Sequence, residues 1–274
     1  MTMNRHFSHR KERERLVFVH VPKCGGMSVH AILEALGLDE WTRQTTGAER
    51  HSPKGHIEAS LLPWRVIEEH LTFTTLRDPW SWYLSYLNYH SFADGSLRPS
   101  MAPFCTTGDS VDDIVRSMAS PSEQGVPPRW PIGTLMFDGK TVTATELEEH
   151  GVGLYSWYLA TIIGTGRVES GITPISPIVR IAIDTARLNE GLTKLFEAAH
   201  IETDTGVALS YGKVNASGDN PARGRWSGTV KGLLSDETIE MIRHRDRHAI
   251  ELMGWPGPDE PAPESMVWFP EASR

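Results

Sequence analysis

The segment Leu16-Val-Phe-Val-His-Val-Pro-Lys-Cys-Gly-Gly-Met-Ser28 constrains this chain more than any other stretch. An apolar, β-branched run leads into a lysine beside two glycines. Ser28 then opens an amphipathic stretch with Val29, Ile32, Leu33 and Leu36 at helical spacing. The pattern predicts a buried strand over 16–21, a tight loop, and a helix over 28–36 stopped by Gly37. A helix N-terminus leaves N–H groups unpaired and carries a partial positive charge, so it attracts anions. Glycines let the backbone close around such a group, and Lys23 adds a full charge. The loop is therefore expected to hold a phosphate or a sulfate. It is not a Walker A loop, because Lys23 precedes the glycines instead of following them beside Ser28. Taken alone, it also fits a strand–helix turn that needs glycine only for geometry.

Downstream, Leu71–Leu76 reads as a second strand, and Pro79 suits the first turn of a helix running to about 90. Residues 91–135 are rich in Pro, Gly and Ser and predict irregular chain around a short helix near 111–118. A helix near 145–163, a strand over 178–183 ending at Asp184, and an amphipathic helix over 188–200 follow. Residues 212–231 read as loop. Ser235 is placed to cap a last helix reaching Met253, with Leu234 and Ile239 as a hydrophobic staple. Strands alternating with helices predict an α/β fold with a mostly parallel sheet. The expected organisation is a charged arm over 1–14, one domain over 15–255 with an insertion at 91–175, and a Pro-rich tail over 256–274.

Lys and Arg number 27 against 35 Asp and Glu, a net charge of −8, which argues against nucleic acid as a partner. An anionic ligand must then be held by individual cations. No apolar run approaches the roughly 20 residues that span a bilayer, so no membrane is expected. Two cysteines, Cys24 and Cys105, make no disulfide framework, and a cytoplasmic location is the expectation.

A second anion motif is Arg77-Asp78-Pro79 at the end of a strand, with Ser85 eight residues after Arg77, about two turns into the next helix. The planar guanidinium suits a phosphate and Ser85 adds a hydroxyl. The bland reading is an Arg77–Asp78 pair capping that helix. Between the two motifs stand His51, His56 and Glu58. A neutral imidazole titrating near 6.5 suits proton abstraction from an alcohol.

Together, Val19-His20-Val21-Pro22-Lys23-Cys24-Gly25-Gly26-Met27-Ser28 and Arg77-Asp78-Pro79 with Ser85 and Tyr86 resemble the two signatures of the sulfotransferases that use 3′-phosphoadenosine 5′-phosphosulfate (PAPS). The nearer branch modifies carbohydrates, including the heparan-sulfate 2-O type and its bacterial relatives. The resemblance implies a P-loop-like three-layer sandwich, with a central, mostly parallel sheet flanked by helices. It implies that Lys23, Cys24, Gly25, Gly26, Met27 and Ser28 grip the 5′-phosphosulfate while Arg77 and Ser85 grip the 3′-phosphate. It makes His56, in a Gly-His segment upstream of the Arg-Asp-Pro strand, the catalytic base, with Glu58 as the other candidate and Lys23 as the second catalytic group. The adenine is expected near Lys213, Asn215, Ser217 and Arg225. PAPS is the co-substrate, PAP the product, and no metal is implied. The acceptor is a small molecule or glycan bearing a hydroxyl, shaped in part by 91–175, and the absent membrane anchor fits a bacterial member. One departure is Trp82, where family members often carry Arg. It leaves Trp80, Trp82, Tyr83 and Tyr86 on one helix, for core packing or for stacking on a sugar. Two other readings stay open. One is a P-loop kinase-like phosphotransferase, with Ile181-Ala-Ile-Asp184 as its Walker B strand. The other is a non-catalytic nucleotide or sulfated-glycan binder.

Overall fold

The computed structural model describes residues 16–38, 59–91, 99–105, 110–126, 129, 131–134, 141–164, 175–201, 226 and 228–269. Along the chain these form β1 (Leu16–Val19), α1 (Gly26–Ala35), α2 (Trp64–Glu69), β2 (Leu71–Leu76), α3 (Pro79–Tyr89) and α4 (Val111–Ala119). There follow β3 (Pro131–Thr134), β4 (Thr141–Thr143), α5 (Ala144–His150), α6 (Leu154–Ile162), β5 (Ile181–Asp184), α7 (Leu188–Ala198), α8 (Val230–Leu233), α9 (Asp236–Arg245), α10 (Arg247–Met253) and β6 (Met266–Trp268). The fold is α/β. An open four-stranded sheet runs in the order β1-β2-β5-β6, and β3 and β4 form a separate antiparallel pair. β1, β2 and β5 are parallel and β6 is antiparallel to β5. The three parallel strands therefore end on one edge of the sheet, the edge at which α/β folds place ligands.

Strand side chains alternate between two apolar clusters. Leu16, Phe18, Phe73, Ile181 and Ile183 pack with Val29, Ile32 and Leu33 of α1 and Leu192, Leu195 and Phe196 of α7. Val17, Val19, Leu76 and Ala182 pack with α3, α4, α6 and α9. α1 ends in a Schellman motif, as its glycine predicts. Gly37 has φ of 68°, its N–H donates to Glu34 O at 2.9 Å, and Leu38 N–H donates to Leu33 O at 2.8 Å. Asp78 caps α3 by accepting from Ser81 N–H at 2.8 Å, with Pro79 in the first turn.

Two helices expected to be continuous are broken, and the two breaks meet. The helix near 145–163 splits at Gly151, whose φ is 64°, and the last helix splits at Asp246. Gly153 N–H donates to Arg245 O at 3.1 Å, and the Asp246 carboxylate lies where a Gly153 side chain would be. That carboxylate accepts from Ser156 N–H at 2.8 Å and from the Tyr83 hydroxyl at 2.9 Å, so it caps α6 from the α9–α10 junction. The first break also has a local part: Gly151 ends α5 in a left-handed C-cap, with Val152 N–H donating to Leu147 O at 3.2 Å.

Within the Pro-rich tail, residues 256–269 pack against the sheet. Asp184 N–H donates to Ser265 O at 3.0 Å, and the Asp184 carboxylate accepts from Ala262 N–H at 2.8 Å. Arg187 donates to the carbonyls of Ala262 and Pro263 at 3.2 and 2.7 Å, and β6 closes the sheet beside β5. Among the described residues, no helix is long and apolar enough to cross a membrane.

Candidate anion-binding site

The loop between β1 and α1 is tightly specified. Lys23 has φ of 64° and Gly25 φ of 76°, both left-handed. That backbone costs a lysine about 1–2 kcal/mol and persists only where its surroundings enforce it. The enforcing contacts flank Lys23 on both sides. The buried Trp82 indole N–H donates to Pro22 O at 2.9 Å, and the buried Thr75 hydroxyl donates to Cys24 O. Both carbonyls are thereby turned into the protein, and a loop whose carbonyls point inward presents its amides on the other side.

Which amides remain is also specified. Cys24 N–H donates to Val21 O at 3.3 Å and Ser28 N–H to Gly25 O at 3.0 Å. The N–H groups of Gly25, Gly26 and Met27 have no acceptor among the described residues, as expected for the start of a helix. Of the backbone N–H groups over 24–28, those of Gly25, Gly26 and Met27 are the ones left to face a ligand. Each glycine has its own reason. Gly25 takes the left-handed φ and lies against Thr185 Cγ2, 3.3 Å from where its Cβ would be. Gly26 has no positive φ; a Cβ there would fall 1.9 Å from His20 Nε2. His20 thus packs on the helix start and stacks on Phe18 with ring centroids 5.7 Å apart.

Arg77 lies at the C-terminal end of β2, the strand beside β1. It is half-buried, and its guanidinium makes no hydrogen bond or ion pair with a described residue. Its charge draws the Cys24 thiol down, but burial dominates and pushes that group up to about 12, so Cys24 stays a protonated thiol. Asp78 is turned into its capping role, and burial holds its carboxyl above the ordinary range. Ser85 is half-buried on α3. One turn on, the Lys23 ammonium rests 4.0 Å from the centroid of the Tyr89 ring. Asn88 donates to Trp226 O at 3.0 Å and accepts from Trp226 N–H at 3.4 Å, which ties Trp226 to this helix.

The aromatic face of α3 is core. Trp80, Trp82, Tyr83 and Tyr86 are all buried, and Trp82 contacts Tyr86, Tyr155 and Tyr158 with centroids 5.0, 4.9 and 5.6 Å apart. A sugar has no access to these rings, so core packing, and not sugar stacking, explains them. Of the other candidates, His51, His56, Glu58, Lys213, Asn215, Ser217 and Arg225 lie outside the described residues.

Comparison of the chain with protein-family models, with curated proteins and with solved structures returns no match. The site is therefore read from its own chemistry. Amides and an arginine without a partner among the described residues, together with a lysine, follow adjacent parallel strands at one edge of the sheet, in a chain of net charge −8. Amides at a helix start and a guanidinium are the groups that suit a multiply charged anion. Sequence reasoning missed three residues that shape it: Thr75, Trp82 as a loop tether, and Tyr155. A buried Tyr or Trp needs a partner for its O–H or N–H, which is the signal that could have found the latter two.

Proposed function

We propose that this chain is a PAPS-dependent sulfotransferase, moving the sulfuryl group to a hydroxyl of a carbohydrate or other alcohol on a P-loop-like three-layer α/β fold. The observation that carries the reading is the pairing of two anion grips at the ends of adjacent parallel strands: the pinned Lys23–Met27 loop after β1 and, after β2, Arg77, whose guanidinium has no partner among the described residues. A nucleotide with phosphate on two ribose positions asks for two such grips. Lys213, Asn215, Ser217 and Arg225 are assigned to the adenine side in this reading.

In the proposed step the acceptor oxygen bonds to sulfur as the bond from sulfur to the bridging oxygen breaks. His56, or Glu58 in its place, takes the acceptor proton, and PAP leaves with the electron pair. Lys23 neutralises charge on the departing oxygens and the amides of Gly25, Gly26 and Met27 hold them; removing one preorganised donor of this kind costs roughly 3–4 kcal/mol. The kinase reading is disfavoured by Asp184. Both its oxygens accept backbone N–H groups, from Ala186 at 3.1 Å and Ala262 at 2.8 Å, so the residue is committed to holding the chain beyond 255.

Transfer from radiolabelled PAPS to a panel of polysaccharides, glycosides and simple alcohols tests the proposal. Lys23→Ala is expected to abolish turnover, and His56→Ala to lose rate while PAP affinity stays near wild type. Absence of transfer by the wild-type chain across the panel overturns the enzyme in favour of a binding protein.

A further inference from the structure

Tyr155 lies on α6, within the 91–175 segment that the sequence placed on the acceptor side, yet its hydroxyl reaches between the two anion grips. It donates to Arg77 O at 2.6 Å and accepts from Arg77 N–H at 3.3 Å. The same oxygen sits 4.0 Å from Cys24 Sγ. The hydroxyl has one proton, and it goes to the Arg77 carbonyl, so at the sulfur contact the thiol is the donor. The ring packs 4.9 Å from Trp82, whose indole N–H fixes Pro22 O. Tyr155 therefore touches the backbone that aims Arg77, the residue after Lys23, and the ring that tethers the residue before Lys23. Its own placement is firm. It is fully buried, its N–H lies 3.4 Å from the Tyr83 hydroxyl, and the next residue's N–H is held by Asp246.

We infer that Tyr155 is a positioning residue that locks the register between the Lys23 loop and Arg77, so that one ligand satisfies both grips at once. The inference rests on the proposed PAPS reading. Tyr155 touches neither the amides of Gly25–Met27 nor the Arg77 guanidinium; it acts through the backbone that carries them. Without the hydroxyl, Arg77 loses both backbone partners and the guanidinium loses its fixed distance to the loop, while each grip keeps its own charges. Ligands that need one grip are then held nearly as before, and ligands that need both are not.

The test is calorimetric titration of wild type and Tyr155→Phe, full chain, with PAP and with 5′-AMP, which lacks the 3′-phosphate. Expected is a PAP affinity about tenfold lower in the variant, with 5′-AMP changed less than twofold, so that the preference for PAP collapses. Equal weakening of both ligands marks a merely structural role and overturns the inference, as does an unchanged PAP preference. A wild type that does not prefer PAP to 5′-AMP overturns the sulfotransferase reading itself and the inference with it. Should the variant fail to fold, hydrogen exchange on the wild type decides. PAP is expected to slow exchange over residues 154–158 more than 5′-AMP does, and equal protection by the two ligands overturns the coupling.

Discussion

Replacing Gly26 by alanine asks why the loop carries a glycine there. Gly26 has ordinary helical backbone, so alanine is no burden on φ and even favours the helix, by up to about 1 kcal/mol. What forbids it is a ring. The added Cβ would lie 1.9 Å from His20 Nε2, 2.1 Å from Cδ2 and 2.4 Å from Cε1, where carbon contacts prefer about 3.5–4.0 Å. His20 cannot easily yield, since it is buried against Phe18 and meets His30 edge-on at 5.6 Å. Overpacking of this kind costs about 1–3 kcal/mol, and overlap with three ring atoms places Gly26→Ala near 3 kcal/mol. In a His20→Ala background the methyl group meets empty space, and the same change is expected to cost under about 1 kcal/mol. The coupling energy is thus about 2 kcal/mol, within the range for residues in contact. Urea denaturation of the four proteins measures it. An equal cost in both backgrounds refutes the packing explanation and returns the glycine to the ligand, which would then have to need a bare backbone at residue 26.

Three further outcomes follow from neighbouring geometry. Trp82→Phe removes the donor to Pro22 O and is expected to cost about 2–3 kcal/mol by thermal denaturation; Trp82→Arg is expected to cost more, because it buries a charge. Asp246 is fully buried, and burial raises its carboxyl from 3.8 to about 6 against the opposing hydrogen bonds from Ser156 and Tyr83 and the charge of Arg245. The folded state therefore holds its proton more tightly than the unfolded chain, and stability contributed by this group is present below pH 3.8 and lost as pH rises through about 6. The wild type is expected to lose roughly 3 kcal/mol relative to Asp246→Asn across that window, read from paired pH–denaturation curves, and parallel curves contradict it. Cys24, held protonated, is expected to resist iodoacetamide in the native protein at mildly alkaline pH, and peptide mass spectrometry showing rapid labelling of Cys24 contradicts its burial.

Local patterns carried the parts of the fold that local physics decides. Leu71–Leu76 is a strand at the predicted bounds, Pro79 opens α3, Gly37 closes α1, and Ser235 caps α9 by accepting from Thr238 N–H at 3.2 Å. The strand expected over 178–183 forms as Ile181–Asp184, where its residues pair with both β2 and β6. Where distant residues decide, the pattern was silent. Nothing near Gly153 announces that a carboxylate from residue 246 will cap that helix. Nothing in the proline-rich chain after Gly254 announces that Asp184 and Arg187 will bind it. The short helix Trp64–Glu69 and the β3–β4 pair were missed because neither shows a clear period. At the site, residue types were legible but their division of labour was not. The glycines and lysine predicted an anion loop, while the left-handed Lys23 and its tethers from Thr75 and Trp82 exist only once β2 and α3 stand beside the loop.

The account stands on one nucleotide engaging both the Lys23 loop and Arg77. Calorimetric titration of the full chain with PAP, and separately with ATP and Mg²⁺, tests this most directly, with Arg77→Ala as the paired variant. One-to-one PAP binding that needs no added metal and weakens at least tenfold in Arg77→Ala is the predicted result. Binding of ATP with Mg²⁺ but not PAP, or PAP affinity indifferent to Arg77, contradicts it.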